Sequence, residues 1–117
     1  MTQDNLQQIV IDALEDTKAR DISTLDVRDM TTIADTMIIA SGTSDRHVRA
    51  LADSVIEKAR EAGFRPYGVE GQNEGEWVLV DLQDVIVHLM LPKVRDFYNL
   101  EKLWAPEREP GLARVDG

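Results

Sequence analysis

The chain has 117 residues, a net charge of −9 from 13 basic and 22 acidic side chains, and no cysteine. The length is that of one domain, and the lack of thiols excludes disulfide scaffolds, cysteine zinc sites and thiol catalysis. The sequence contains no apolar run of about 18 residues, so no membrane span is predicted. The acidic N-terminus does not resemble a signal or transit peptide, and we therefore expect a cytoplasmic protein. Acidic residues occur throughout, which predicts no autonomous nucleic-acid binding and favours a basic protein partner.

Hydrophobic periodicity and turn residues divide the chain into eight elements. The second helix is the best marked, because Ser44 can cap its start and Gly63 can end it in the left-handed conformation. In chain order we predict a helix at 4–19, strands at 24–27 and 36–41, a helix at 44–62, strands at 66–71, 77–81 and 85–91, and a helix at 93–104.

This order predicts an α/β fold with a single mixed sheet of about five strands and packed helices. The strand–helix–strand crossover over 36–70 implies a parallel pair, and the hairpin over 77–91 implies an antiparallel pair. We expect the domain to cover 1–104. The segment 105–117, which contains two prolines and little to bury, is expected to be a loose tail.

Strand alternation gives the hairpin two different faces. One face is aliphatic and is predicted to pack under helices; it carries Val78, Val80, Val85, Val87, Leu89 and Leu91. The second face carries Trp77, Leu79, Ile86, His88 and Met90. Two interpretations of the second face remain open: the C-terminal helix covers it, or part of it joins Tyr98 and Trp104 in a surface for a protein partner. Tryptophan, tyrosine and methionine are enriched in interface cores.

Other candidate sites have simpler explanations. Asp81 and Asp84 could hold a metal ion, but they flank a hairpin turn, where aspartate is common for backbone reasons. The segment 41–45 opens a helix and could bind a phosphate, but it lacks a Walker lysine. Neither His47 nor His88 has a second ligand at metal-binding spacing. We therefore expect no metal, no cofactor and no catalytic nucleophile.

Four segments occur in order along the chain: SGTSDRHVRALADSV (41–55), YGVEGQ (67–72), EWVLVDLQDVIVHLM (76–90) and YNLEKLW (98–104). Together they resemble the bacterial ribosomal silencing factor family, also called Iojap-like, from about Leu6 to Trp104. The tail past Pro106 lies outside this resemblance. The resemblance implies a nucleotidyltransferase-like sheet. The Asp-x-Asp strand signature of those enzymes is absent, so the chain is expected not to be an enzyme.

The resemblance also implies a function. Family members bind the large ribosomal subunit through large-subunit ribosomal protein fourteen, block joining with the small subunit, and so repress translation under nutrient limitation. They are often homodimers off the ribosome. Alternatives are a large-subunit assembly factor that uses the same docking site and a nucleotide-binding enzyme relative.

The hairpin and the segment 98–104 match the family pattern, and their side chains are the expected partner contacts. Trp77, Met90 and Trp104 would be the buried anchors, and His88 a hydrogen-bonding group among them. The expected contact residues are Trp77, Leu82, His88, Met90, Tyr98, Lys102 and Trp104.

Overall fold

The computed structural model describes residues 2–30, 32 and 34–99, and its elements follow the predicted order. The first helix ends earlier than predicted, because Lys18 adopts a φ of 65° and the chain turns directly into the first strand. The elements are α1 (Thr2–Asp16), β1 (Arg20–Asp26), β2 (Thr36–Ser41), α2 (Asp45–Glu61), β3 (Gly68–Glu70), β4 (Trp77–Asp81), β5 (Val85–Met90) and α3 (Pro92–Tyr98).

The described strands form one mixed sheet of five, in the order β1-β2-β5-β4-β3. The predicted antiparallel hairpin is confirmed as β4–β5. The predicted parallel pair across the α2 crossover is wrong, because the parallel neighbour of β2 is β5 and not β3. Five of the six residues of β5 are buried, whereas β3 is three residues long and mostly exposed. The longer apolar strand therefore takes the centre, and β3 lies at the edge beyond β4.

The aliphatic face of the sheet packs against α1 and α2, as the alternation predicted. All of the predicted hairpin residues on this face except Leu91 are fully buried. Helix α2 begins as predicted, with the Ser44 hydroxyl accepting the backbone N–H of His47 at 3.1 Å, and Gly63 follows it with a φ of 94°. None of the described helices combines the length and apolar character needed to cross a membrane.

The last helix is shorter than predicted. It begins at Pro92 and ends at Tyr98, because Asn99 adopts the left-handed conformation (φ 52°, ψ 52°) and its N–H returns to the Arg95 carbonyl at 2.7 Å. The predicted continuous helix over 93–104 is therefore interrupted at Asn99, and 100–104 lie outside the described residues. The expected tail at 105–117 lies outside the described residues.

Candidate functional site: a partner-binding surface

The second face of the sheet is only partly covered. Helix α3 covers one end, and the use of the uncovered end as a partner surface stays a prediction. Val94 of α3 packs over one end of this face, on a small buried cluster of Val27, Met37, Ile39 and Met90. Towards the hairpin turn, Leu79 and Ile86 remain partly exposed on the same face. The covered end contributes to the core, and the open end can meet another molecule.

Trp77 lies where the covered part of this face meets the open part. Its indole N–H donates to Nδ1 of His88 at 3.0 Å, and the two ring centroids are 5.9 Å apart. The Trp77 ring also contacts Tyr98 of α3, with a centroid distance of 4.7 Å and an interplanar angle of 49°. The indole is therefore held between a β5 side chain and an α3 side chain, while part of it stays accessible to solvent.

Two further aromatic rings extend this surface along α3. Tyr98 is 49% exposed, and Phe97 is 79% exposed and meets Tyr98 edge-on with centroids 4.9 Å apart. These rings leave apolar area exposed to water, which is unfavourable, and clusters of exposed aromatic rings are typical of binding surfaces. We call this set the apolar surface: Trp77, Leu79, Ile86, Phe97 and Tyr98.

His88 lies beneath this surface. It is only 7% exposed, and burial lowers the pKa of its imidazole from 6.5 to about 4. Its Nδ1 accepts the indole N–H and must therefore carry no proton, which agrees with a neutral ring. Little of its side chain reaches solvent in the free chain, and its direct contact with a partner stays a prediction.

Arg95 fastens α3 to the sheet, and the sequence analysis missed it. Its guanidinium is nearly buried and donates to the Ser41 hydroxyl at 2.9 Å and to the Ser23 hydroxyl at 3.3 Å. Ser41 at the end of the mostly apolar strand β2 was the available signal, because a buried polar side chain needs a hydrogen-bond partner. This contact fixes the position of the neighbouring aromatic residues Phe97 and Tyr98.

Two of the expected contact residues are buried in the free chain, and their direct contact with a partner stays a prediction. Leu82 belongs to the core on the α1/α2 side and is 4% exposed, because the turn directs its side chain inward. Met90 lies on the predicted second face, but it is fully buried in the cluster that α3 covers. Lys102 and Trp104 lie outside the described residues, and their contacts stay predictions.

The alternative sites have structural roles. Asp81 accepts the backbone N–H of Gln83 at 2.8 Å, which stabilises the hairpin turn in which Gln83 has a φ of 77°. His47 links the start of α2 to the end of α1: its Nδ1 accepts the Thr43 N–H at 2.9 Å, and its Nε2 lies 2.7 Å from the Thr17 carbonyl oxygen. Within the described part of the chain, no three His, Asp or Glu side chains are grouped as metal ligands would be.

Comparison with known proteins identifies relatives over nearly the full length. A family model described as ribosomal silencing factor during starvation (RsfS) matches residues 1–116, further than the extent expected from the four segments. The ribosomal silencing factor RsfS of Chromobacterium violaceum is 50% identical over 103 residues, covering 88% of this chain and 84% of that protein.

A solved structure and a more distant relative extend the comparison. The crystal structure of a Chromobacterium violaceum protein, 50% identical, matches with a TM-score of 0.87 and covers 89% of this chain and 87% of its own. A mouse protein named mitochondrial assembly of ribosomal large subunit protein 1 is 35% identical over 99 residues. The aligned region covers 82% of this chain and 43% of the mouse protein.

Proposed function

Because this chain belongs to the ribosomal silencing factor family, we propose that it binds the large ribosomal subunit and sterically blocks association with the small subunit. Translation is then repressed when nutrients are limiting. The docking partner is large-subunit ribosomal protein fourteen, and the site of action is the cytoplasm, where the subunits join.

The apolar surface is the observation that carries the docking proposal. Tryptophan and tyrosine dominate the binding energy of protein interfaces, and they act best when they are already ordered in the free protein. Trp77 meets this condition, because its ring is held by a hydrogen bond to His88 and by contact with Tyr98. Trp77 and Tyr98 are therefore the proposed anchors, joined by Lys102 and Trp104 from the sequence prediction.

Steric exclusion requires affinity and bulk, and no covalent chemistry. A dissociation constant of tens of nanomolar corresponds to about 10 kcal/mol, which one interface of about 1,600 Å² can supply. Asp81 stabilises a turn, and Asp81 and Asp84 are three residues apart and do not form the Asp-x-Asp signature of nucleotidyltransferases. We therefore propose that the protein acts without a catalytic step.

The net charge of −9 supports a basic partner. Charge complementarity raises the rate of encounter with a lysine- and arginine-rich protein, and it disfavours adhesion to the phosphates of ribosomal RNA. The association rate should consequently fall as ionic strength rises, whereas the dissociation rate should depend more on the apolar surface.

A second function, large-subunit assembly, is favoured by one specific observation. The mouse relative carries assembly of the mitochondrial large subunit in its name. An assembly factor could use the same docking surface. Accumulation of precursor ribosomal RNA in a deletion strain grown in rich medium would favour assembly, while normal maturation with a defect confined to starvation would favour silencing.

A homodimer off the ribosome is part of the proposal. It would cover some of the apolar surface, so that the dimer and the ribosome-bound form exclude each other. Analytical ultracentrifugation with and without the purified ribosomal protein tests this point: we expect the partner to convert dimer into a one-to-one complex. An intact dimer inside the complex would reject mutual exclusion.

The silencing function is tested by fractionating ribosomes from starved cells on a sucrose gradient and blotting for the protein. We expect it in the free large-subunit fraction and depleted from assembled ribosomes. Ribosomal protein fourteen, which is present in both fractions, is the loading control. Equal occupancy of both fractions would contradict steric exclusion, because an assembled ribosome leaves no room for the blocking domain.

A further inference from the structure

The indole of Trp77 has one polar atom, and His88 already binds it. The two residues lie on adjacent strands but are not directly opposite, since Trp77 pairs with Met90 and His88 pairs with Leu79. The 3.0 Å hydrogen bond therefore runs diagonally across the hairpin. A ring held in this way cannot turn its N–H outward without losing the bond.

Further contacts help to hold the Trp77 ring in place. Tyr98 also packs against the indole, and its helix is fastened to the sheet by Arg95. His88 is buried and burial lowers its pKa, so near neutral pH its ring is uncharged and Nδ1 is available as an acceptor. Its burial, its protonation state and its geometry therefore allow His88 to orient the Trp77 ring of the apolar surface without itself being exposed.

We propose that His88 is a positioning residue for partner binding. Its Nδ1 accepts the hydrogen bond from the indole N–H and so fixes the Trp77 ring with only carbon atoms facing outward. The proposal rests on the proposed function of the apolar surface. It also specifies the chemistry of the partner group that Trp77 receives. A ring without a free donor binds the hydrocarbon stem or the cationic head of a lysine or arginine and offers nothing to a hydrogen-bond acceptor.

Two substitutions separate the hydrogen bond from the bulk of the side chain. In His88→Asn the amide oxygen can lie close to the position of Nδ1, so an acceptor is retained. His88→Leu introduces an apolar side chain of similar size and removes the acceptor. Affinity for purified large subunits is measured for both. We expect His88→Leu to weaken binding about five- to tenfold, the range of one hydrogen bond, and His88→Asn to stay within about threefold.

The same pair is measured in a Trp77→Phe background, which lacks the indole N–H. We expect the effect of His88→Leu to shrink there to within about twofold, because the bond is already absent. As a spectroscopic check, the ¹⁵N–¹H signal of the Trp77 indole, identified by its loss in Trp77→Phe, should exchange slowly in the wild type and in His88→Asn. It should exchange quickly in His88→Leu.

The outcomes distinguish this proposal from the proposed function. If the wild type does not bind large subunits, the proposed function fails. If the wild type binds and His88→Leu, folded by circular dichroism, binds equally well, the positioning role is overturned. If His88→Leu does not fold, the decision passes to His88→Asn: retained binding with a protected indole supports the role, and retained binding with a rapidly exchanging indole overturns it.

Discussion

Trp77 and His88 are joined by a hydrogen bond of 3.0 Å from the indole N–H to the imidazole Nδ1, at the boundary between the covered and open parts of one sheet face. This bond connects the core to the surface that we propose for docking. The protonation of buried His88 therefore affects the orientation of partly exposed Trp77. Substitutions at these two residues and in the elements that hold them should therefore change stability and binding separately.

The first prediction concerns the pH dependence of stability. Burial lowers the pKa of His88 from 6.5 to about 4, so between these values the unfolded chain binds more protons than the folded one. The contribution of His88 is therefore complete above about pH 6.5 and is lost as the pH falls towards 4. We expect about 2 kcal/mol less unfolding free energy at pH 5 than at pH 7 from this residue.

The measurement is urea denaturation at both pH values, with His88→Asn as the control. The second histidine and all carboxylates are common to both proteins, so the difference between their pH slopes isolates position 88. The same slope in the two proteins would show that the imidazole is not held neutral by folding.

The second prediction concerns the attachment of α3. Arg95→Met removes the hydrogen bonds to Ser41 and Ser23 and leaves two inward-facing hydroxyls without this donor. We expect a loss of about 2–3 kcal/mol in the free energy of unfolding, together with faster amide exchange in α3. Lys93→Met, an exposed position on the same helix, is the matched control and should change stability by less than about 0.5 kcal/mol. Equal effects would mean that Arg95 does not fasten the helix.

The third prediction separates a core leucine from a surface leucine. Leu82→Ala should lower the free energy of unfolding by about 2–4 kcal/mol, because its side chain is 4% exposed in the main core. Under conditions where it stays folded, its affinity for large subunits should remain within about twofold of the wild type. Leu79→Ala should do the reverse, with a small stability loss and weaker binding. A binding defect in folded Leu82→Ala would contradict this prediction and support a direct contact of Leu82 with the partner.

The fourth prediction concerns the backbone beneath Trp77. Gly71 and Gly63 both have positive φ values, 86° and 94°, but only at Gly71 would a Cβ collide with the Trp77 carbonyl oxygen. Gly63→Ala should cost about 1 kcal/mol for the left-handed backbone alone. Gly71→Ala should cost roughly 3 kcal/mol, since the start of β4 must also shift. Thermal denaturation of the two variants checks this, and equal costs would exclude the close approach.

The hairpin faces could be predicted from sequence because a strand alternates its side chains with a fixed period of two. The aliphatic residues Val78, Val80, Val85 and Val87 are accordingly buried as predicted. Strand order was less accessible, because the same chain segments can be arranged in several orders without changing the periodicity. The pairing of β2 with β5 depends on which strand fills the centre best, and the local pattern does not contain that information.

The site was only partly predictable for similar reasons. Alternation placed Trp77 on the correct face, but it could not show that α3 seals Met90 beneath it. The apolar spacing that predicted the last helix continues past Asn99 in the sequence. The helix nevertheless ends before Asn99, because the backbone of Asn99 is left-handed. Arg95 was missed because an arginine on a short helix is usually a surface residue, and only the tertiary contact with Ser41 reveals its role.

The central claim is that Trp77 anchors the chain on the large subunit, and the most direct test is the affinity of Trp77→Ala for purified large subunits. The matched control is Tyr67→Ala, which removes a 71% exposed aromatic side chain that makes no ring contact with the described residues of the apolar surface. We predict a loss of about 2 kcal/mol or more for Trp77→Ala, close to thirtyfold, with little change for Tyr67→Ala. A loss below about 0.5 kcal/mol in folded Trp77→Ala would contradict the account.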